Sequence, residues 1–240
     1  MLILAHRGAS ADAPENTLTA FRLAAEQRAD GVELDVQVCA TGEVVVCHDE
    51  RLDRLARVNA EVLHTSWRRL RTFDVGSPLG FAPERIPLLE EVLELLPRSM
   101  RVNVELKCET LDDHGLTRRA VEVIRACGAE DRVLVSSFNP LCLWRLMELA
   151  PELPRGYLID PDRSFALHGW GIAPLVSGHS VHPFWKQTTK ASVARWRSTG
   201  LELAVWTVDD PEEARRLREL GVRYLITNRP GFMRAELEKR

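Results

Sequence analysis

The chain has 240 residues, 45% hydrophobic and 28% charged, with a formal net charge of −3. That balance excludes a disordered chain, which carries fewer apolar residues and more net charge, and gives no basic footprint for nucleic acid. Five scattered cysteines without CxxC spacing exclude a disulfide framework or a structural zinc site.

In chain order, Leu2–Ala5 reads as a strand and Glu15–Arg28 as an amphipathic helix. Val32–Val38 follows as a strand, and Val44–Cys47 as a short extension after the Thr41-Gly42 turn. Residues 49–85 then break the rhythm, a long polar, Arg-rich connection closed by Gly76, Pro78, Gly80 and Pro83. Connections beyond about 15 residues are usually functional, so this segment is expected as an insertion over the active face. Leu88–Leu96 reads as a helix with Pro87 at its start, then Val102–Leu106 as a strand. Leu116–Cys127 is a helix, Val133–Ser136 a strand, Leu141–Leu149 a helix and Gly156–Ile159 a strand. Pro174–Val176 reads as a weak strand, Ser192–Ser198 as a helix and Leu203–Thr207 as a strand. Pro211–Leu220 is a helix, and Tyr224–Thr227 the last strand.

Eight principal strands alternating with helical stretches predict a parallel sheet, and roughly 250 residues is the usual size of a (β/α)8 TIM barrel. The expectation is α/β, one barrel domain over 1–240 with an inserted segment, 49–85, after the second strand. An open doubly wound sheet is the competing architecture, weakened because no GxGxxG or GxxxxGK[ST] follows any strand. The N-terminus has five apolar residues, Met1–Ala5, before His6 and Arg7, a run shorter than a signal peptide needs, and no stretch approaches a membrane span. The expected location is the cytoplasm, with the cysteines as small buried hydrophobes; the sequence sets no oligomeric state.

Charges inside the strands need an explanation. Glu33 and Asp35 stand at i and i+2, on one face with Cα atoms about 6.6 Å apart. Glu105 and Lys107 repeat the spacing. Parallel strands are covered on both faces, so such charges are costly unless paired, and strand C-termini are where barrel active sites lie. Glu33, Asp35 and Glu105 make an all-oxygen set suited to Mg²⁺ or Ca²⁺, and a cation or the Lys107 ammonium would offset their repulsion. His6 and His48 end strands beside this cluster and supply groups that titrate near neutral pH. Arg7 offers a planar fork for phosphate. No chemistry is assigned to His64, His114 or His168, while His179 and His182 are candidates to line the mouth. Together these residues suit phosphoester cleavage.

The same residues form ordered motifs. His6-Arg7-Gly8 with Pro14-Glu15-Asn16-Thr17, Glu33-Leu34-Asp35-Val36-Gln37 with His48-Asp49, and Glu105-Leu106-Lys107 occur in this sequence order. Ser136-Ser137-Phe138, Val205-Trp206-Thr207-Val208 and Ile226-Thr227-Asn228-Arg229-Pro230 complete the series. The chain resembles the glycerophosphodiester phosphodiesterases from end to end. The resemblance implies a TIM barrel that hydrolyses glycerophosphodiesters to glycerol 3-phosphate and an alcohol. It implies Glu33, Asp35 and Glu105 as ligands of a divalent metal (Mg²⁺, Ca²⁺ or Mn²⁺) and His6 and His48 as the acid/base pair. Arg7 and Lys107 would bind phosphate, and Trp206 would wall the substrate pocket. Leu55-Ala56-Arg57-Val58 departs from the Thr-Thr-Gly stretch usual in the insertion. Competing readings are a phospholipase D-type phosphodiesterase, which is expected to be secreted and disulfide-bearing, a Schiff-base aldolase using Lys107, and a barrel that binds glycerophosphodiesters without turnover.

Overall fold

The computed structural model describes residues 1–159 and 171–239. Its sheet contains β1 (Leu2–His6), β2 (Gly31–Val38), β3 (Val44–Val46), β4 (Arg101–Leu106), β5 (Val133–Ser137), β6 (Arg155–Ile159), β7 (Gly178–Pro183), β8 (Glu202–Val205) and β9 (Tyr224–Thr227). Eight of these are parallel and close on themselves, because β1 pairs with both β2 and β9. β3 lies outside the ring, antiparallel to the end of β2. The architecture is a (β/α)8 barrel, as the alternation predicts.

The outer face of the barrel is covered by α1 (Leu18–Glu26), α4 (Leu89–Leu95), α5 (Leu116–Ala126), α6 (Pro140–Leu149), α8 (Lys190–Ser198), α9 (Pro211–Glu219) and α10 (Pro230–Glu238). Two large apolar clusters fill the space between strands and helices. One joins Val32, Leu34 and Val104 to Phe21, Val92, Ile124 and Leu146; the other joins Val181 and Leu203 to Val193, Leu217 and Met233. Inside the barrel, Leu4, Tyr224 and Ile226 pack together as a floor.

Three elements differ from the sequence reading. Helix α1 begins at Leu18, not Glu15, because Thr17 caps it by accepting from the Ala20 N–H at 3.2 Å. Glu15 and Asn16 are thereby left in a loop that turns toward the strand ends. Pro174–Val176 is not a strand but lies in a helical turn, α7 (Ala173–Val176), with a proline in its first turn. The seventh barrel strand is Gly178–Pro183 instead. Its buried Ser180 and His182 break the apolar pattern on which strand recognition depends. Residues 160–170, which include His168, lie outside the described residues.

Residues 49–85 carry the short helices α2 (Asp53–Ala56) and α3 (Trp67–Leu70). Leu52, Leu55, Val62, Leu70 and Val75 form an apolar cluster with Val45 of β3 and with Cys47. Leu55, at the departure from the usual Thr-Thr-Gly stretch, is one of these buried residues, and Arg57 closes α2 in the left-handed conformation at φ 54°.

Candidate active site

The C-terminal ends of the parallel strands surround a cavity of about 230 Å³ lined by His6, Arg7, Glu33, His48, Glu105, Lys107, Phe138, Leu158 and Trp206. Asp35 lies 1% exposed beside it, behind Arg7 and Lys107. The structure therefore brings together the eight residues to which the resemblance gives metal, acid/base, phosphate-binding and pocket roles.

Local backbone geometry explains how β1 delivers two of them. After His6 the chain turns through Arg7 at φ 55° and Gly8 at φ 80°, both left-handed. A Cβ on Gly8 would lie 2.6 Å from the Ala20 carbonyl carbon, so glycine is required by both conformation and contact. The turn lets the Arg7 N–H donate to Glu33 Oε2 at 3.1 Å while the guanidinium reaches Asp35 (3.1 Å) and Glu15 (2.8 Å).

Glu33, Asp35 and Glu105 are buried, and each offers an oxygen within 4.8 Å of the others. Register fixes this proximity: Asp35 of β2 pairs with Glu105 of β4, and Glu33 with Asn103. Burial and repulsion from Asp35 and Glu105 push the Glu33 carboxyl well above the usual range. Burial likewise raises Glu105, with Lys107, 2.9 Å away, opposing it. Asp35 moves the other way: burial works to raise it, but Arg7, Lys107 and an Asn16 amide hydrogen bond at 2.9 Å hold it low. Two cations thus face three buried acids, an imbalance that fits a bound divalent cation.

The two histidines have different partners. The His6 Nδ1–H donates to Asn228 Oδ1 at 2.7 Å, and Asn228 in turn donates through Nδ2 to Asp209 at 2.6 Å. That second bond sets the amide so that its oxygen faces the imidazole, which leaves His6 Nε2 as the unprotonated nitrogen, 3.9 Å from Glu33. Burial and the nearby Arg7 lower the His6 pKa, so its neutral form dominates at pH 7. His48 instead places Nδ1 2.8 Å from the Asp49 carboxylate, whereas the Nδ1 partner of His6 is a neutral amide. Arg54 of α2 binds both Asp49 (2.7 Å) and Glu15 (2.8 Å), tying this helix to the partners of His48 and Arg7.

The opposite wall is aromatic. Trp206 packs edge-on to Phe138 with ring centroids 5.7 Å apart and lies 5.3 Å from Phe184. Its indole N–H donates to the His182 carbonyl at 2.8 Å. The Lys107 ammonium is 5.8 Å from the Phe138 ring centroid, so this side chain borders both walls.

The mouth assignment for His179 and His182 fails. His179 is near the opposite end of β7 and pairs with Glu202 at 3.4 Å. His182 is fully buried in the barrel, with Nε2 2.9 Å from Ser180 Oγ. A Cβ on Gly156 would come within 2.3 Å of that Nε2, so a glycine in β6 makes room for the imidazole. Sequence reasoning gave no role to Glu15, Asn16, Asp49, Phe138, Asp209 or Asn228. Several stand in the quoted motifs, but their roles are contacts across distant parts of the chain, which spacing does not reveal.

Residues 6–232 match the profile of the glycerophosphoryl diester phosphodiesterase family. The chain belongs to that family. It is 36% identical over 232 residues to a glycerophosphodiester phosphodiesterase of Caldanaerobacter subterraneus subsp. tengcongensis, covering 95% of this chain and 94% of that one. Among solved structures, an Oleispira antarctica phosphodiesterase in complex with the product sn-glycerol-3-phosphate superposes with a TM-score of 0.90 at 29% identity. That comparison covers 100% of this chain and 97% of the other. A glycerophosphodiester phosphodiesterase from Agrobacterium tumefaciens gives 0.82 at 30% identity, covering 98% and 99%. The enzyme class expected from the sequence, a phosphoric diester hydrolase, agrees with these names. No helix among the described residues is long and apolar enough to cross a membrane.

Proposed function

We propose that the chain hydrolyses glycerophosphodiesters to glycerol 3-phosphate and an alcohol, by acid/base catalysis from His6 and His48 beside a divalent cation. The observation that carries this reading is the pairing of two differently partnered histidines with three buried carboxylates in one cavity. Glu33, Asp35 and Glu105 would hold the cation, Mg²⁺, Ca²⁺ or Mn²⁺, which would supply Lewis-acid stabilisation of charge on the phosphate oxygens. Arg7 and Lys107 contribute fixed positive charge on the same side, each held by buried carboxylates. His6, neutral and with Nε2 unprotonated, accepts a proton from the attacking hydroxyl. His48, with Nδ1 held by Asp49, gives a proton to the departing alkoxide. Trp206 and Phe138 cover the carbon skeleton of the substrate and reduce its contact with water.

We read residues 1–240 as one barrel domain with 49–85 as an insertion. The insertion's apolar cluster includes residues of and beside β3, and Arg54 binds partners of the site. A cytoplasmic location agrees with five free cysteines.

The test is incubation with glycerophosphocholine, followed by assay of glycerol 3-phosphate. Turnover that EDTA abolishes and divalent cation restores is the expected result. Calorimetric binding without glycerol 3-phosphate release would instead favour a non-catalytic binding barrel. Borohydride trapping of a keto substrate on Lys107 would favour an aldolase.

A further inference from the structure

His48, the acid of the proposed reaction, stands just beyond β3, and its Nδ1 partner is the side chain of the next residue, Asp49. Gln37 of β2 fixes the backbone here. Its Nε2 donates to the Cys47, His48 and Asp49 carbonyls at 2.9, 3.2 and 3.0 Å. None of these bonds restrains the Asp49 side chain. That carboxylate is gripped by Arg54, whose Nε donates to Oδ2 at 2.7 Å and whose Nη2 donates to Oδ1 at 3.0 Å. A two-bond fork of this kind sets a carboxylate in angle as well as in distance.

Arg54 is itself built into a frame. Leu52 and Leu55, on either side of it, are buried in the apolar cluster that joins the insertion to Val45 of β3. The remainder of the guanidinium forks onto Glu15, with Nη1 2.8 Å from Oε2 and Nη2 2.9 Å from Oε1. Glu15 also accepts from Arg7 Nη1 at 2.8 Å. Hydrogen bonds therefore run unbroken from Arg7 through Glu15, Arg54 and Asp49 to His48. Arg54 does not line the catalytic cavity, so it can act only through its partners.

We propose that Arg54 is a positioning residue for the acid step, gripping Asp49 against the Glu15 anchor so that the His48 imidazole is held within reach of the departing oxygen. The Asp49 side chain is 20% exposed, and without the fork it is free to turn to water and release His48 Nδ1. A general acid works only within hydrogen-bond reach of the atom it protonates, and misplacement by about 1 Å can cost about 10²-fold. The loss should depend on the leaving group. An alkoxide needs a proton in order to depart, whereas p-nitrophenolate is stable as the anion and leaves without one. A residue that merely supports the fold would slow both reactions alike.

The inference rests on the role proposed for His48, and the experiment separates the two. Wild type, His48→Ala and Arg54→Met are assayed at saturating Mg²⁺ on glycerophosphocholine and on the p-nitrophenyl ester of glycerol 3-phosphate. Arg54→Met should lose about 10- to 10²-fold in kcat on glycerophosphocholine, with KM and the rate on the p-nitrophenyl ester little changed. His48→Ala should show the same dependence more strongly. In an Asp49→Asn background, Arg54→Met should add little further loss, because both residues act through one chain of contacts. If Arg54→Met does not fold, Arg54→Lys carries the test: it keeps the charge but cannot fork onto two carboxylates, and should show the same dependence at smaller size. Equal losses on the two substrates, or no loss on either, overturn the proposal. A His48→Ala protein without leaving-group dependence would refute His48 as the acid and this role of Arg54 with it. Wild type that turns over neither substrate would refute the hydrolytic reading itself.

Discussion

The two walls of the cavity are built from opposite materials. β1, β2 and β4 present His6, Arg7, Glu33, Asp35, Glu105 and Lys107, whereas the wall contributed by β5, β6 and β8 and the residues following them is Phe138, Leu158 and Trp206. The first wall is expensive to build, since each buried charge must be answered by another. It is answered by Arg7 and Lys107, by Asn16, and by the partners of each histidine. The second wall follows from ordinary apolar burial. In the account above, the charged wall lowers the barrier to bond cleavage and the aromatic wall holds the substrate. Each wall should therefore fail in its own kinetic parameter.

The largest effect is expected from Asp35→Asn. It removes the carboxylate shared by Arg7 and Lys107, and breaking a buried ion pair costs about 3–5 kcal/mol. Loss of turnover on the order of 10³-fold, with a lowered Tm, is the expected result; near-wild-type activity would remove Asp35 from the charged wall. Lys107→Arg comes next. It keeps the charge but replaces a compact ammonium with a larger fork beside Glu105, and should lower kcat about tenfold. Steady-state kinetics with KM unchanged would place the effect on the charged wall. Phe138→Leu is milder. It deletes one edge-on aromatic pair with Trp206, worth about 0.5–1.5 kcal/mol, and should raise KM about three- to tenfold with little change in kcat.

The smallest effect on catalysis lies in the barrel interior. Burial depresses the His182 pKa from 6.5 to about 3. Between those values the unfolded chain binds the proton and the folded chain does not, so the associated stability is present above pH 6.5 and is lost as pH falls toward 3. His182→Gln should flatten denaturant-derived stability over that interval by at most roughly 1.4 kcal/mol per pH unit. An unchanged slope would show that His182 is not the buried neutral group described.

The contrast between the walls also explains what was legible in the sequence. Glu33, Asp35, Glu105 and Lys107 stood out because charges inside parallel strands violate the apolar pattern. Phe138 and Leu158 did not, because an apolar residue at a strand end is indistinguishable from core. Trp206 was reached through the family resemblance. The barrel itself was legible from its alternation, except where Ser180 and His182 disguised β7. Asn228 and Asp209 escaped because their action on His6 depends on barrel closure, which brings residue 228 within 2.7 Å of residue 6.

The most direct test compares His6→Ala with Trp206→Ala, measuring kcat and KM for glycerophosphocholine at saturating divalent cation. A kcat loss of about 10²–10⁴-fold in His6→Ala, together with a raised KM and nearly preserved kcat in Trp206→Ala, is the predicted result. Unchanged kcat in His6→Ala, or a collapse of kcat in Trp206→Ala without a change in KM, would contradict the division of labour between the two walls.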